Sequence, residues 1–266
     1  MASYREYVIA RTLEEAYALN QKKSSVIVAG NMWLRLCGLH RATAIDLSAL
    51  GLDQIRETDG AFEIGAMATL RQLETHADLN RAFGRVFSQA FAPIVGTQFR
   101  NGATVGGSVY SRFGFSDVGA LLLALRGEVL LYKRGSVPLE QYQHEPWDRD
   151  IITGVRIPKG QRAAVQSVRL GGTDIPTLVC AASLGEDGLR IVLGARPARA
   201  IVVADGLSPD VGEAEFERIA GGTAFGSNRR ASEAYRRRIA PVLMRRAARA
   251  CLLQAAESTG EGAHED

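Results

Sequence analysis

The chain has 266 residues, of which 46% are hydrophobic and 23% are charged, and its net charge is only +3. This composition is typical of a globular protein with two or three compact units, and it excludes a fold whose whole surface binds nucleic acid. The sequence contains no long apolar run and no secretory signal pattern, and its three cysteines form no CxxC pair. We therefore expect a cytoplasmic protein that binds no membrane and holds neither a metal ion nor an iron–sulfur cluster.

The first predicted unit, residues 1–55, is a small α/β subdomain. Thr12 and Glu15 have the spacing of a capping box, which predicts the start of a helix. The β-branched run at residues 24–30 predicts a buried strand, and residues 44–47 predict another. The chain turns after the first strand, at Gly30 and Asn31.

The second predicted unit covers residues 56–163. A strand is expected within residues 61–70, and Thr69 with Gln72 forms a second capping box before a helix at residues 70–79. Another helical stretch leads to the glycine-rich sequence RNGATVGGS at residues 100–108, which we interpret as a loop. The apolar segment at residues 118–125 fits either a helix or a strand, and further strands are predicted from the sequences EVLLYK and ITGVRIP.

The third predicted unit covers residues 164–258. It begins with three strand-like runs, VQSVRL, TLVCAASL and LRIVLGA, and the sequence Glu-Asp-Gly between the last two indicates a hairpin. Two helical stretches follow, and residues 259–266 are expected to be a disordered tail.

Two glycine-containing segments, residues 29–32 and residues 103–108, are candidates for a binding site. Main-chain amides in such segments can converge on a phosphate when no side chain blocks the approach. The alternative is that each segment is simply a tight turn. Neither segment has the pattern of a Rossmann dinucleotide site or of a P-loop.

The order of several motifs resembles the flavoprotein subunits of the molybdenum hydroxylases, such as xanthine dehydrogenase and carbon monoxide dehydrogenase. These motifs are AGN, RNGATVGGS, the Ser-Asp pair at residues 116–117, LLLAL, ITGVRIP and the C-terminal GSNRRASEAYRRRIAPVLMRRA. The resemblance implies an α+β fold. Two α/β subdomains would form an FAD-binding domain of the PCMH type, and a C-terminal domain would carry a small antiparallel sheet and helices.

The resemblance also implies FAD as the cofactor, with no catalytic side chain and no metal ligand in this chain. The residues expected to contact FAD are Ala29, Gly30, Asn31, Met32, Thr104, Gly106, Gly107, Ser108, Asp117, Asp174 and Ile175. Both glycine segments would donate amides to the diphosphate, Asp117 would accept a hydrogen bond from the ribityl chain, and the last two residues would lie beside the flavin ring.

Three positions depart from the family pattern. Met32 lacks the hydroxyl that is common there, Ser108 replaces an asparagine, and Gly114 stands where a proline is frequent. At Ser108, a hydroxyl would have to replace an amide as the hydrogen-bond donor.

The function implied is that of an FAD-binding electron-transfer subunit in a heterotrimeric molybdenum hydroxylase. A molybdopterin-containing catalytic subunit would pass electrons to an iron–sulfur subunit, and that subunit would pass them to FAD. From FAD the electrons would go to NAD⁺ or another acceptor. Two alternatives stay open. One is a self-sufficient FAD oxidoreductase of the same fold, and the other is a non-enzymatic assembly subunit in which Met32 and Ser108 have weakened FAD binding.

Two further features have simpler interpretations. Residues 229–249 contain eight arginines, which we interpret as a solvated or partner-facing side of a helix rather than a nucleic-acid site. Trp33, directly after the first glycine segment, either contacts the cofactor or packs in a core or interface, and we favour packing.

Overall fold

A computed structural model describes residues 1–260. The strands in this part of the chain are β1 (Ser3–Ile9), β2 (Ser25–Val28), β3 (His40–Asp46), β4 (Ile55–Glu57), β5 (Ala61–Gly65), β6 (Glu128–Leu131), β7 (Gly135–Pro138), β8 (Ile152–Pro158), β9 (Arg162–Val168), β10 (Leu178–Gly185), β11 (Gly188–Gly194) and β12 (Ile201–Leu207). The α-helices are α1 (Leu13–Asn20), α2 (Leu70–Thr75), α3 (Ala77–Ala82), α4 (Val86–Phe91), α5 (Thr97–Gly102), α6 (Val105–Ser111), α7 (Asp117–Ala124), α8 (Leu139–Tyr142), α9 (Glu213–Gly222) and α10 (Glu233–Gly260).

The first sheet has three parallel strands in the order β1-β3-β2. Helix α1 connects β1 to β2, and the predicted cap is present, since Thr12 Oγ1 accepts a hydrogen bond from the Glu15 amide at 3.1 Å. Ala16 of the helix packs with Ile45 and Leu47 in a small apolar core. Because β2 ends at Val28, the first glycine segment lies just beyond the carboxyl end of this sheet.

The second sheet has five antiparallel strands in the order β4-β5-β8-β6-β7. Thr69 and Gln72 form the predicted capping box at the start of α2. The single helix expected at residues 70–79 is wrong, because His76 has extended backbone angles and separates α2 from α3. The His76 ring caps the second helix, where Nδ1 accepts from the Leu79 amide at 3.2 Å.

The third sheet has four antiparallel strands in the order β12-β11-β10-β9. Alternate residues of β10 face opposite sides, so that Val179 and Ala181 pack in the core around α7, while Cys180 and Ala182 pack in the core under α10. The molecule thus has the predicted α+β architecture. The apolar segment at residues 118–125, for which the sequence fits either a helix or a strand, lies almost entirely in helix α7.

Within residues 1–260 no helix is long and apolar enough to cross a membrane. The domain boundaries near residues 55 and 163 stay predictions, and they fall within strands β4 and β9, which begin at Ile55 and Arg162. Of the tail predicted to be disordered, residues 259 and 260 belong to α10, and residues 261–266 lie outside the described part of the chain.

One arginine of helix α10 does not lie on a solvated or partner-facing side, as the sequence predicted for this arginine-rich region. Arg236 is completely buried rather than solvated. Its guanidinium donates to the carbonyl oxygens of Thr177, Gly226 and Ala231, and to Asn228 Oδ1, over distances of 2.7 to 2.8 Å. This arginine therefore fastens the turn at residues 226–231 to the third sheet.

Candidate functional site

One cavity of about 560 Å³ brings together all eleven residues predicted to contact FAD. Its walls come from the segment after β2, from α5 and α6, from the start of α7, from residues 147–150 and from residues 169–176. The volume is in the range of pockets that hold small molecules and cofactors. The sequence thus predicted which distant segments meet, while the contacts of each residue with FAD stay predictions.

The first glycine segment is a turn whose amides are available to a ligand. Within residues 1–260, the amides of Gly30, Asn31 and Met32 donate no hydrogen bond to another group. Asn31 has a φ of 54°, a left-handed conformation that asparagine tolerates better than most residues. A Cβ on Gly30 would lie 1.6 Å from the Gly102 carbonyl oxygen, so this glycine allows the first segment to pack against the end of α5, directly before the second segment.

The second glycine segment is a helix start, and its interpretation as a loop is wrong. Thr104 is the N-cap of α6, and its Oγ1 accepts from the Gly107 amide at 3.2 Å. The amides of Val105 and Gly106 donate to the carbonyl oxygens of Ala68 and Ala66, at 2.9 and 2.8 Å. The Thr104 amide donates no hydrogen bond within residues 1–260, and the Gly107 amide can exchange its partner without breaking a backbone hydrogen bond, so these two amides are the donors that this segment has available.

The neighbouring glycines Gly106 and Gly107 have different surroundings. A Cβ on Gly106 would lie 2.8 Å from both the Cβ and the carbonyl oxygen of Ala66, which means that packing within the protein requires glycine there. Among the atoms of the described residues, a Cβ on Gly107 would contact only Thr104 Oγ1, at 3.2 Å, and Gly107 lines the cavity. Gly107 is therefore the glycine whose missing side chain leaves room for a ligand.

Asp117 and Arg169 form a buried ion pair on the cavity wall. Asp117 Oδ1 lies 2.5 Å from Arg169 Nη2, and both side chains are less than 10% exposed. Burial raises the pKa of Asp117, while the hydrogen bond and the charge of Arg169 oppose that shift. Arg169 is 52 residues away in the sequence, and nothing in the sequence identified it as the partner of Asp117.

Asp174 and Ile175 lie in the same wall, between β9 and β10. Asp174 Oδ1 accepts from the Ile175 amide at 2.7 Å and from Arg230 Nη2 at 3.2 Å. These hydrogen bonds, in that order, lower the pKa of Asp174, so this carboxylate is charged in the neutral range.

An aromatic cluster on the cavity wall was not predicted as a group. Trp33 packs against Phe99, Phe113 and Phe115 with ring centroids 5.9 to 6.0 Å apart. Phe113 and Phe115 stack on each other at 5.0 Å. The predicted packing of Trp33 is present, yet Trp33 also lines the cavity and is 39% exposed, so it is accessible to a ligand.

Residues 2–160 match the family model described as the FAD binding domain in molybdopterin dehydrogenase. The chain belongs to this family. Among curated proteins, the uncharacterized protein YgfM of Escherichia coli strain K12 is 29% identical over 208 residues, which are 76% of this chain and 77% of YgfM.

Solved structures have the same fold as this family member. The carbon monoxide dehydrogenase from Hydrogenophaga pseudoflava matches with a TM-score of 0.84 and 20% identity, covering 96% of this chain and 99% of the matched chain. Quinoline 2-oxidoreductase from Pseudomonas putida 86 matches with a TM-score of 0.81 and 18% identity, covering 94% and 98%. At this level of identity the matches establish the fold.

The predicted cofactor is confirmed, since FAD is the cofactor by which the family model is described. The cavity also has features that suit a polar ligand. Ser25 and Asn31 are among the lining residues, although Ser25 Oγ and Asn31 Oδ1 are themselves buried and have no hydrogen-bond partner within residues 1–260. The free amides of residues 30–32 belong to the same wall and are donors available to such a ligand.

The structure gives physical reasons for the departures from the family pattern. A side chain on Gly114 would place a Cβ 1.9 Å from the Ala198 carbonyl oxygen. The close approach of residue 114 to the loop between β11 and β12 therefore requires glycine. The Met32 side chain fills the space beside Gly102. The Ser108 hydroxyl donates to the Thr104 carbonyl oxygen at 2.9 Å, and a hydroxyl has only one proton to donate.

Proposed function

We propose that this chain is the FAD-carrying electron-transfer subunit of a multi-subunit molybdenum hydroxylase. The observation that carries the proposal is the single cavity, in a member of this FAD-binding family, on which all eleven predicted residues meet. The cavity walls include the free amides of residues 30–32 and a cluster of aromatic rings. At Gly30, the turn after β2 packs closely against Gly102.

In this proposal, each part of the cavity has a distinct task. The free amides at residues 30–32 bind the diphosphate, and the Gly107 amide adds a donor where its missing side chain leaves room. Asp117 accepts a hydrogen bond from the ribityl chain, and Asp174 with Ile175 holds the wall beside the ring system. Bound FAD supplies one- and two-electron chemistry, while the protein supplies position and limits access of water.

The carboxylates of the cavity favour electron transfer over a self-sufficient enzyme. Asp117 is bonded to Arg169, Asp148 to Arg134 and Asp174 to Arg230. Asp150 accepts from the backbone amides of Lys133 and Arg134. Among the described residues, no histidine, glutamate or lysine lines the cavity. A direct reaction with an organic substrate usually needs an available acid or base. These carboxylates are already engaged, and Tyr110 and Cys37 are the remaining acid–base side chains among the described lining residues.

The proposed partners are an iron–sulfur subunit and a molybdopterin-containing catalytic subunit, in a cytoplasmic heterotrimer with NAD⁺ as one possible acceptor. In residues 1–260 no group of three or more His, Cys, Asp or Glu residues is arranged to hold a metal ion, so other chains would supply these centres. The similar carbon monoxide dehydrogenase from Hydrogenophaga pseudoflava is described as a form that lacks the Mo-pyranopterin moiety of its molybdenum cofactor, so that enzyme has such a cofactor in its complete form. Three cysteines without disulfide partners suit a reducing compartment.

The test is the visible absorption spectrum of the purified chain, followed by titration with FAD, FMN and riboflavin. We expect a flavin spectrum, or uptake of one FAD per chain with clear preference over FMN, because the matched family is described as an FAD binding domain. Uptake of none of the three would contradict the proposal and favour an assembly subunit. Reduction of bound FAD by a small organic substrate without any partner would favour the self-sufficient enzyme.

A further inference from the structure

Arg169 connects the FAD-binding part of the chain to the third sheet. It follows β9 directly, and its side chain is only 9% exposed. Besides the contact with Asp117, its Nη1 donates to the Asp174 carbonyl oxygen at 2.6 Å and its Nε donates to Ser167 Oγ at 3.2 Å. One guanidinium therefore holds the first residue of α7 and the loop at residues 170–177 together.

The loop is fixed from its other side by a second arginine. Arg230 contacts the Asp174 carboxylate, and it belongs to the turn that the buried Arg236 fastens to the sheet. Asp174 is thus held at its carbonyl oxygen by Arg169 and at its carboxylate by Arg230. The planar guanidinium of arginine presents several donors in a fixed geometry, which suits this role, whereas lysine has a single ammonium group on a flexible chain.

The charge of Asp117 depends on Arg169 more than on any other nearby group. Among the charged residues on elements packed against α7, Arg190 of β11 reaches the opposite end of the helix, where it donates to the Leu123 carbonyl oxygen and pairs with Glu140 and Asp205. Asp174 and Arg230 lie behind Arg169. Without Arg169, the buried Asp117 would have no facing cation among the described residues.

We propose that Arg169 is a positioning residue of the flavin site. It orients the Asp117 carboxylate toward the cavity and holds residues 170–177 against it. The inference rests on the proposed function, and it means that a residue outside the matched family range of residues 2–160 sets the geometry within it.

The experiment measures the FAD dissociation constants of three full-length proteins, the wild type, R169K and R169Q, between pH 6 and pH 9. We expect R169Q to weaken FAD binding about tenfold at pH 8, as for the loss of one well-placed hydrogen bond. The loss should grow as the pH falls, because an unpaired buried Asp117 takes up a proton at higher pH and then accepts hydrogen bonds poorly. R169K should keep the wild-type pH profile and recover part of the affinity.

Arg190 provides the matched control, since it is also buried and ion-paired, contacts the same helix and does not line the cavity. R190Q should lower thermal stability and leave the FAD dissociation constant and its pH profile unchanged. Wild-type binding and pH profile in R169Q would overturn the proposal. So would an equal loss of affinity in R169Q and R190Q that follows thermal stability.

A second measurement does not require FAD. Carboxyl-carbon NMR follows the titration of Asp117, and hydrogen exchange follows the amides of residues 170–177, both in the chain without added flavin. R169Q should raise the pKa of Asp117 and speed exchange in the loop, and an unchanged titration with unchanged exchange would overturn the proposal. If the wild type took up no FAD, the proposed function would fail, and this measurement would still decide the role of Arg169.

Discussion

The two glycine segments of the cavity look alike in sequence and differ in structure. Residues 29–32 form a turn in which three successive amides donate to no other protein group within residues 1–260. Residues 104–108 begin a helix in which each amide from Val105 to Ser108 already has an acceptor. Within residues 1–260, the first segment therefore has three free amides, while the second has one, at Thr104, together with space at Gly107.

This difference shows that glycine can be needed for packing within the protein at one position and to leave space for a ligand at another. Gly30 and Gly106 are required because backbone atoms of Gly102 and Ala66 occupy the positions of their side chains. Gly107 meets no backbone atom in the same test. Substitutions at these positions should separate effects on folding from effects on FAD binding.

The largest effect is expected for G30A. Its Cβ would lie 1.6 Å from the Gly102 carbonyl oxygen, and that backbone belongs to a neighbouring helix that cannot move without cost. We expect the free energy of unfolding to fall by about 3 kcal/mol, at the upper end for overpacking. Denaturant titration measures it, with G38A as the control because no atom of residues 1–260 lies within 4 Å of a Cβ there. Equal stability of G30A and G38A would contradict the predicted contact.

A smaller loss of stability is expected for G106A. The new Cβ would lie 2.8 Å from Ala66 atoms, and the higher helix propensity of alanine offsets part of the strain. We expect a net loss of about 1–2 kcal/mol in the free energy of unfolding. G107A, one residue further on, is the matched control and should stay within about 1 kcal/mol of the wild type. If G107A were the less stable of the two, the assignment of the two glycines would be reversed.

The reverse pattern is expected for G107V, which should fold and lose FAD. The branched side chain would extend into the cavity, and we expect affinity to fall on the order of 100-fold, or about 2.7 kcal/mol. Equilibrium titration with FAD measures this loss. Gly119 is the control, because it also follows a capping hydroxyl by three residues but does not line the cavity. Stoichiometric FAD in purified G107V, or a similar loss in G119V, would remove Gly107 from the site.

The smallest effect is expected for S108A. The hydroxyl proton is already donated to the Thr104 carbonyl oxygen, so its loss should change the affinity for FAD by less than about threefold and stability by less than about 1 kcal/mol. A tenfold loss of FAD affinity would show that the hydroxyl turns toward the diphosphate, as the sequence predicted.

Local chemistry explains which elements were predictable. The caps at Thr12 and Thr69 depend on residues three positions apart, and both are present. Helix α6 was missed because glycines are poor helix formers, and because its cap lacks the glutamate or glutamine that completes a capping box. Strand β1 was missed because most of its residues are polar or exposed, so it shows little hydrophobic pattern.

The candidate site was predictable in its segments and not in its long-range pairs. Motif order placed residues 29–32, residues 104 and 106–108, Asp117 and Asp174 in one site, and the cavity includes all of them. The partner of Asp117 could not be predicted, because any of many arginines could face a buried aspartate and only the packing of the third sheet selects Arg169. The burial of Arg236 depends likewise on carbonyl groups from separate segments.

The placement of the aromatic residues gives the molecule a built-in optical probe. The chain contains two tryptophans, and both Trp33 and Trp147 line the cavity. Its intrinsic tryptophan fluorescence therefore arises entirely from the walls of the ligand site. A change in emission on adding a flavin would report occupancy directly, without a label and without any partner chain.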